Sequence, residues 1–178
     1  MIARTLFLEQ KKLRVFDFDD TIVKTDSYIY VTHKNGRTSK LTPGEYAVYK
    51  PKPGDQFDYS DFEDVVNPKE IKGITKVLRD MARAGGDRGV YILTAREHAK
   101  PIQQYIRDIG IRNVTVVGLG SSDPKDKADW IRDKVEGEDY DDVYFIDDSQ
   151  KNVKAVKRTL QDLDVKHQVV LMKRKWMK

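Results

Sequence analysis

Five short apolar runs separated by stretches of helical periodicity constrain what this chain can fold into. Leu13 to Phe18 reads as a first buried strand. Pro68 to Ala84 reads as a helix, with Ile71, Ile74, Val77, Leu78 and Met81 on one stripe and Gly85-Gly86 at its end. Val90-Tyr91-Ile92-Leu93 is the next strand, and Thr94 with Glu97 forms a capping-box pattern that predicts a helix running to Gly110. Val114 to Val117 is a third strand. Asp123 followed by Pro124 combines a cap with a first-turn proline, and Trp130, Ile131 and Val135 supply the inner face of the helix they start. Val143 to Ile146, a helix from Ser149 to Leu160 facing inward through Val153, Val156 and Leu160, and Val169-Val170-Leu171 complete the series. Strands that alternate with helices pair in parallel. The expected fold is therefore α/β, a doubly wound, mainly parallel Rossmann-like sheet with helices on both faces. In such sheets ligands bind beyond the carboxyl ends of the strands, where strand order reverses.

The segment from about 24 to 67 interrupts the alternation. Tyr28-Ile29-Tyr30-Val31 and Tyr46-Ala47-Val48-Tyr49 are strand-like, Asn35-Gly36 is a hairpin-turn signal, and Pro51, Pro53 and Gly54 disfavour a helix. This predicts a small hairpin flap inserted after the first strand, above the strand ends, within a single domain spanning 1–178. The residues through Gln10 carry no clear pattern. A chain of 178 residues with 39% hydrophobic content supports one core, while 35% charged residues imply a strongly solvated surface. No apolar run has membrane-spanning length, so no membrane partner is expected. The absence of cysteine excludes disulfides and thiolate metal sites, and it is compatible with a cytoplasmic setting. The net charge of +4 mildly favours a polyanionic partner. Much of that excess sits in Lys154, Lys157, Arg158 and the tail Lys173-Arg174-Lys175-Lys178, which reads either as a solvated end or as a binding arm.

Two acidic clusters stand at carboxyl ends of these strands: Asp17-Phe18-Asp19-Asp20-Thr21 near the start and Asp147-Asp148-Ser149 near the end. Carboxylates lodged beside buried strands are costly unless neutralised. If parallel strands bring the clusters together, a hard divalent cation such as Mg²⁺ suits their oxygen ligands and points to phosphate chemistry. An EF-hand is excluded, because Ile22 stands where that loop needs glycine.

Asp17-x-Asp19-x-Thr21 after a strand, Thr94 ending a strand, a lysine opening a helix and Asp147-Asp148 ending a later strand occur in an order that resembles the haloacid-dehalogenase superfamily of phosphohydrolases. The likeness covers roughly 13–160. The finer pattern, Leu93-Thr94-Ala95-Arg96-Glu97 and Ser121-Ser122-Asp123-Pro124, is similar to small phage-type members akin to the phosphatase domains of nucleic-acid end-repair proteins; for a phage-encoded chain the cytoplasm would be the host's. The resemblance implies a Mg²⁺-dependent phosphomonoesterase. Asp17 would be the nucleophile that becomes an aspartyl-phosphate, and Asp19 would protonate the leaving alcohol and later activate water. The metal would be held by Asp17, Asp148 and the main-chain carbonyl of Asp19. Thr94 would donate to a phosphoryl oxygen, and Thr21 would support the first loop at the substrate.

Lys125 and Lys127 both fall in the first turn of their helix, and the resemblance places the charge-neutralising lysine at Lys127. Asp147 would orient Lys127 or a metal-bound water, and Asn152 lies one turn on, reaching the same network or merely the helix surface. Arg96 either forks onto a substrate phosphate or makes a surface ion pair. Thr94 is also a plain helix cap on a bland reading. In the flap, Lys34, Arg37, Lys40, Lys50 and Lys52 interleave with Tyr28, Tyr30, Tyr46 and Tyr49, a pattern that either stacks bases or simply packs. His33, His98 and His167 are scattered and are read as no one's ligands. The expected substrate is a phosphorylated one, a nucleic-acid 3′-phosphate end or a small nucleotide or sugar phosphate. A receiver-like phosphoacceptor module is the competing class, but it would carry its acceptor acid on a middle strand, where this chain has Thr94.

Overall fold

Lys12–Phe16 (β1) buries Leu13, Val15 and Phe16 completely, and a strand covered on both faces belongs in the middle of a sheet. The computed structural model describes residues 10–46 and 48–173. After β1 come Val23–Lys24 (β2), Ile29–Thr32 (β3), Thr38–Leu41 (β4), the short helix Pro43–Tyr46 (α1) and Gln56–Asp58 (β5). A 3-10 turn at Ser60–Glu63, Lys69–Glu70 (β6), Lys72–Arg83 (α2), Arg88–Thr94 (β7) and Ala99–Asp108 (α3) follow. Thr115–Gly118 (β8), Pro124–Glu138 (α4), Asp142–Asp147 (β9), Gln150–Asp162 (α5) and Lys166–Leu171 (β10) complete the order.

The main sheet runs β10-β9-β1-β7-β8, and every pair in it is parallel. Successive side chains of each strand point to opposite faces and feed two cores. On one face Phe16, Ile92 and Ile146 pack with Ile74 and Leu78 of α2 and Ile102 and Ile106 of α3. On the other, Leu13, Val15, Leu93 and Phe145 pack with Ile131 of α4 and Val156 and Leu160 of α5. Each fully buried aliphatic side chain contributes about 1.5–3 kcal/mol, so the sheet is clamped from both sides. The architecture is α/β with helices on both faces of a parallel sheet, compatible with a Rossmann-like fold. Order reverses at β1, which has β9 on one side and β7 on the other. Among the described residues no helix is long and apolar enough to cross a membrane.

The insertion folds as a three-stranded antiparallel sheet, β4-β3-β5, with Gly36 at φ 79° in the turn after β3. The β2–β6 ribbon closes its base. Three elements differ from the sequence expectation. The helix expected from Pro68 begins at Lys72, because Lys69 and Glu70 are drawn into the ribbon with β2 and the Ile71 N–H donates to Ile22. The helix expected at Thr94 begins at Ala99. There the Thr94 hydroxyl accepts from the Arg96 N–H, and a Cβ at Gly118 would meet the Glu97 carbonyl at 2.4 Å, so residues 95–98 loop tightly across β8. The strand expected over Tyr46–Tyr49 is not formed. Thr42 and Glu45 instead make a reciprocal capping box around Pro43, starting α1, while Ala47 lies outside the described residues. The residues before Gln10 and the tail residues Arg174, Lys175 and Lys178 also lie outside them.

Candidate active site

Parallel register sets Phe16 beside Ile146, so the residues that follow, Asp17 and Asp147, leave neighbouring strands side by side. The Asp17 N–H donates to the Ile146 carbonyl at 2.9 Å, extending the ladder one residue. Beyond it the chain turns sharply: the N–H groups of Ile22 and Val23 both return to the Phe18 carbonyl, and Asp20 takes a left-handed φ of 56°. Asp tolerates that conformation better than most residues. The turn brings Thr21 back over the strand end. Its hydroxyl donates to Asp17 Oδ2 at 3.0 Å and accepts from the Asp148 N–H at 3.1 Å, lacing the early cluster to the late one.

Lys127 enters from the first turn of α4 and is 2% exposed. Its Nζ donates to Asp17 Oδ1 at 2.6 Å and to Asp147 Oδ2 at 2.8 Å. Lys125 instead pairs with Asp129 on the outer surface. Asp147 is fully buried and held further by the Asn152 amide at 2.9 Å and the Ser149 N–H at 2.7 Å. Carboxylate oxygens of Asp17, Asp147 and Asp148 lie within 4.8 Å of one another. The structure thus brings together Asp17, Thr21, Lys127, Asp147, Asp148 and Asn152, drawn from three stretches of chain.

Electrostatics mark the cluster as starved of positive charge. Desolvation pushes the Asp17 carboxyl well above its ordinary range; Lys127 opposes this, and Asp147 and Asp148 add to it. Asp148 sits at the exposed rim with its carboxylate turned toward the crowded acids. Desolvation first, then the charges of Asp147 and Asp20, push it up to about 7. Burial alone would depress Lys127, but the carboxylates of Asp17 and Asp147 outweigh it and hold the ammonium charged. One ammonium serving two of three carboxylates leaves room for a cation. Three clustered carboxylates are the hard donors that Mg²⁺ takes, so the residues present fit that ion.

Arg96 departs from expectation, and it does so by taking hold of Asp19. The Asp19 carboxylate is not among the clustered oxygens; its expected share in metal binding was through the main-chain carbonyl. It is gripped instead by the Arg96 fork, Nε to Oδ2 at 2.8 Å and Nη2 to Oδ1 at 2.7 Å. Arg96, only 5% exposed, also donates to the Phe62 and Asp64 carbonyls, Thr25 Oγ1 and Ser27 Oγ, and its guanidinium lies 4.8 Å from the Phe62 ring centre. It is therefore neither open to a substrate phosphate nor a surface ion pair. The tight loop after β7 aims it across to the first loop and the flap base, and every partner there is taken. Thr25, Ser27, Phe62 and Asp64 were not anticipated as neighbours of Asp19, because nothing in their spacing ties the flap base to β7.

Thr94 ends β7 with 1% exposure, its hydroxyl occupied in part by the Arg96 N–H, and it caps no helix. In the flap, Tyr46, Phe57 and Tyr59 pack ring against ring and the Tyr46 and Tyr59 hydroxyls meet at 2.6 Å, although Tyr59 keeps 45% exposure. Lys40 lies over Tyr28 at 4.0 Å, and His33 bridges Asp55 and Ser39. These are packing contacts within the flap. Neither protein-family models, nor curated proteins, nor solved structures match this chain.

Proposed function

We propose that this protein is a phosphomonoesterase of the haloacid-dehalogenase type, working through an aspartyl-phosphate on Asp17. The observation that carries the proposal is the convergence of Asp17, Asp147 and Asp148 on one another around the buried Lys127. A bound Mg²⁺ would supply charge neutralisation for the phosphoryl group, held by Asp17, Asp148 and the Asp19 carbonyl. The chain's own residues account for the rest. The Asp17 carboxylate attacks phosphorus in line, forming one O–P bond as the ester O–P bond breaks. Lys127 and the Thr94 hydroxyl bind phosphoryl oxygens, and Asp147, fixed by Asn152, keeps Lys127 aimed. Asp19 delivers the proton to the departing alkoxide. It then takes a proton from water, whose oxygen displaces the Asp17 carboxylate and releases inorganic phosphate.

The Asp19–Arg96 pair is the resting arrangement on this reading, and Asp19 exchanges a guanidinium bond for the leaving oxygen during turnover. A receiver-like module is disfavoured because β7, the next strand of the main sheet after β1, ends in Thr94 where an acceptor acid would be needed. The flap is a three-stranded sheet rather than a full cap domain, and on this reading a nucleic-acid 3′-phosphate end is preferred over a free sugar phosphate. The test is hydrolysis of an aryl phosphate with and without Mg²⁺, followed by a comparison of 3′-phosphorylated oligonucleotides with mononucleotides and sugar phosphates. Mg²⁺-dependent turnover that Asp17→Asn abolishes is expected; turnover unaffected by EDTA or by that substitution would defeat the proposal.

A further inference from the structure

A cavity of about 580 Å³ opens at the end of the sheet opposite the carboxylates. Its walls begin at Arg88, the first residue of β7, whereas Thr94 ends that strand; six residue steps at about 3.3 Å put the two ends about 20 Å apart. Arg88, Arg107 and Arg112 line it, and no aspartate or glutamate does. Among the described residues none of the three arginines takes part in a salt bridge. Arg88 is braced by donating to the Met81 and Gly85 carbonyls, while its Nε is shut away from solvent with no hydrogen-bond partner. Buried N–H groups are rarely left so.

The same wall is shaped by Gly89. A Cβ there would meet the Tyr140 hydroxyl at 2.3 Å and the Tyr91 ring at 2.6 Å, so glycine is what makes room for both phenols. Guanidiniums recognise phosphate by forked hydrogen bonds. Of the two phenols the half-buried Tyr91 borders the hollow, because Tyr140 is 5% exposed with its ring under the Lys11 ammonium at 4.8 Å. A volume of about 580 Å³ falls within the range of small-molecule sites, roughly 300–1,000 Å³. A concave hollow suits a compact ligand, whereas a nucleic-acid strand is tracked by an extended basic groove.

We propose that this cavity is a second site, separate from the carboxylate cluster, for a phosphate-bearing small molecule of mononucleotide size, held by Arg88, Arg107 and Arg112 beside Tyr91. The site does not depend on the proposed phosphatase activity. Trp130 reports on it, since its ring lies edge-on to Tyr91 at 5.1 Å. The chain has two tryptophans, and Trp176→Phe leaves Trp130 alone. In that background, with EDTA present, adenosine 5′-monophosphate should change Trp130 emission saturably. Arg107→Gln with Arg112→Gln, both at exposed positions, should weaken binding by at least about tenfold while leaving aryl-phosphate hydrolysis unchanged. No saturable response, or equal affinity in the double variant, would overturn the proposal. Tighter binding of a short single-stranded oligonucleotide than of the mononucleotide would overturn the small-molecule assignment.

Discussion

At Lys127 the chain buries an ammonium against two carboxylates, and spacing along α4 explains why this lysine and not its neighbour. Lys127 stands four residues before Ile131, on the face of the helix that enters the core, while Lys125 stands four before Asp129 and meets it at the surface. The inward stripe of α4 therefore already distinguished the two lysines. Lys127→Met should leave Asp17 and Asp147 uncompensated and cost about 3–5 kcal/mol in urea unfolding. A loss below about 1 kcal/mol would show that the pair is not buried as described. Arg96 was less legible, because its partners come from the insertion and from the first loop. Arg96→Lys keeps the charge but loses the fork that orients Asp19, so kcat should fall by up to about 10²-fold with KM little changed. A raised KM at unchanged kcat would instead reveal direct contact with substrate.

At the scale of elements, the caps of α4 and α5 were legible, whereas the Thr94–Glu97 capping pattern announced a start that the structure moves to Ala99. Asp123 accepts from the Lys125 N–H at 2.9 Å and Ser149 from the Asn152 N–H at 3.4 Å, so α4 and α5 begin where their cap residues foretold. Asp123→Ala should destabilise the protein by about 1 kcal/mol, read as a shift in denaturation midpoint with unchanged slope. The five strands of the main sheet were recovered because each carries a continuous apolar run, whereas the short polar strands β2, β4, β5 and β6 carry none. The start of α3 was misread although Pro101 held the clue: proline belongs in a first turn, which places the start near Ala99 rather than Thr94. Likewise Thr42-Pro43-Gly44-Glu45 is a capping box with a first-turn proline, passed over in favour of the β-prone tyrosines that follow. The delayed start of α2 had no local signal, since pairing of β6 with β2 depends on residues more than forty positions away.

For the whole molecule, the meeting of two acidic clusters was legible as soon as parallel β1 and β9 were adjacent, but the capture of Asp19 by the flap base was not. The insertion's position relative to the sheet is fixed by tertiary contacts alone. The raised Asp148 carboxyl gives the metal-free protein a pH dependence. Its contribution to stability is complete below its ordinary value of 3.8 and lost as pH rises through about 7. A divalent cation must displace that proton, so Mg²⁺ should raise the melting temperature more at about pH 8 than at about pH 5. Equal shifts at both would argue that Asp148 takes no part in holding the ion. Acid-quenched turnover followed by peptide mapping shows whether these converging carboxylates make Asp17 a phosphoryl acceptor. Phosphate should be found on Asp17; steady hydrolysis with that residue never modified, or with the phosphate on another side chain, would contradict the account.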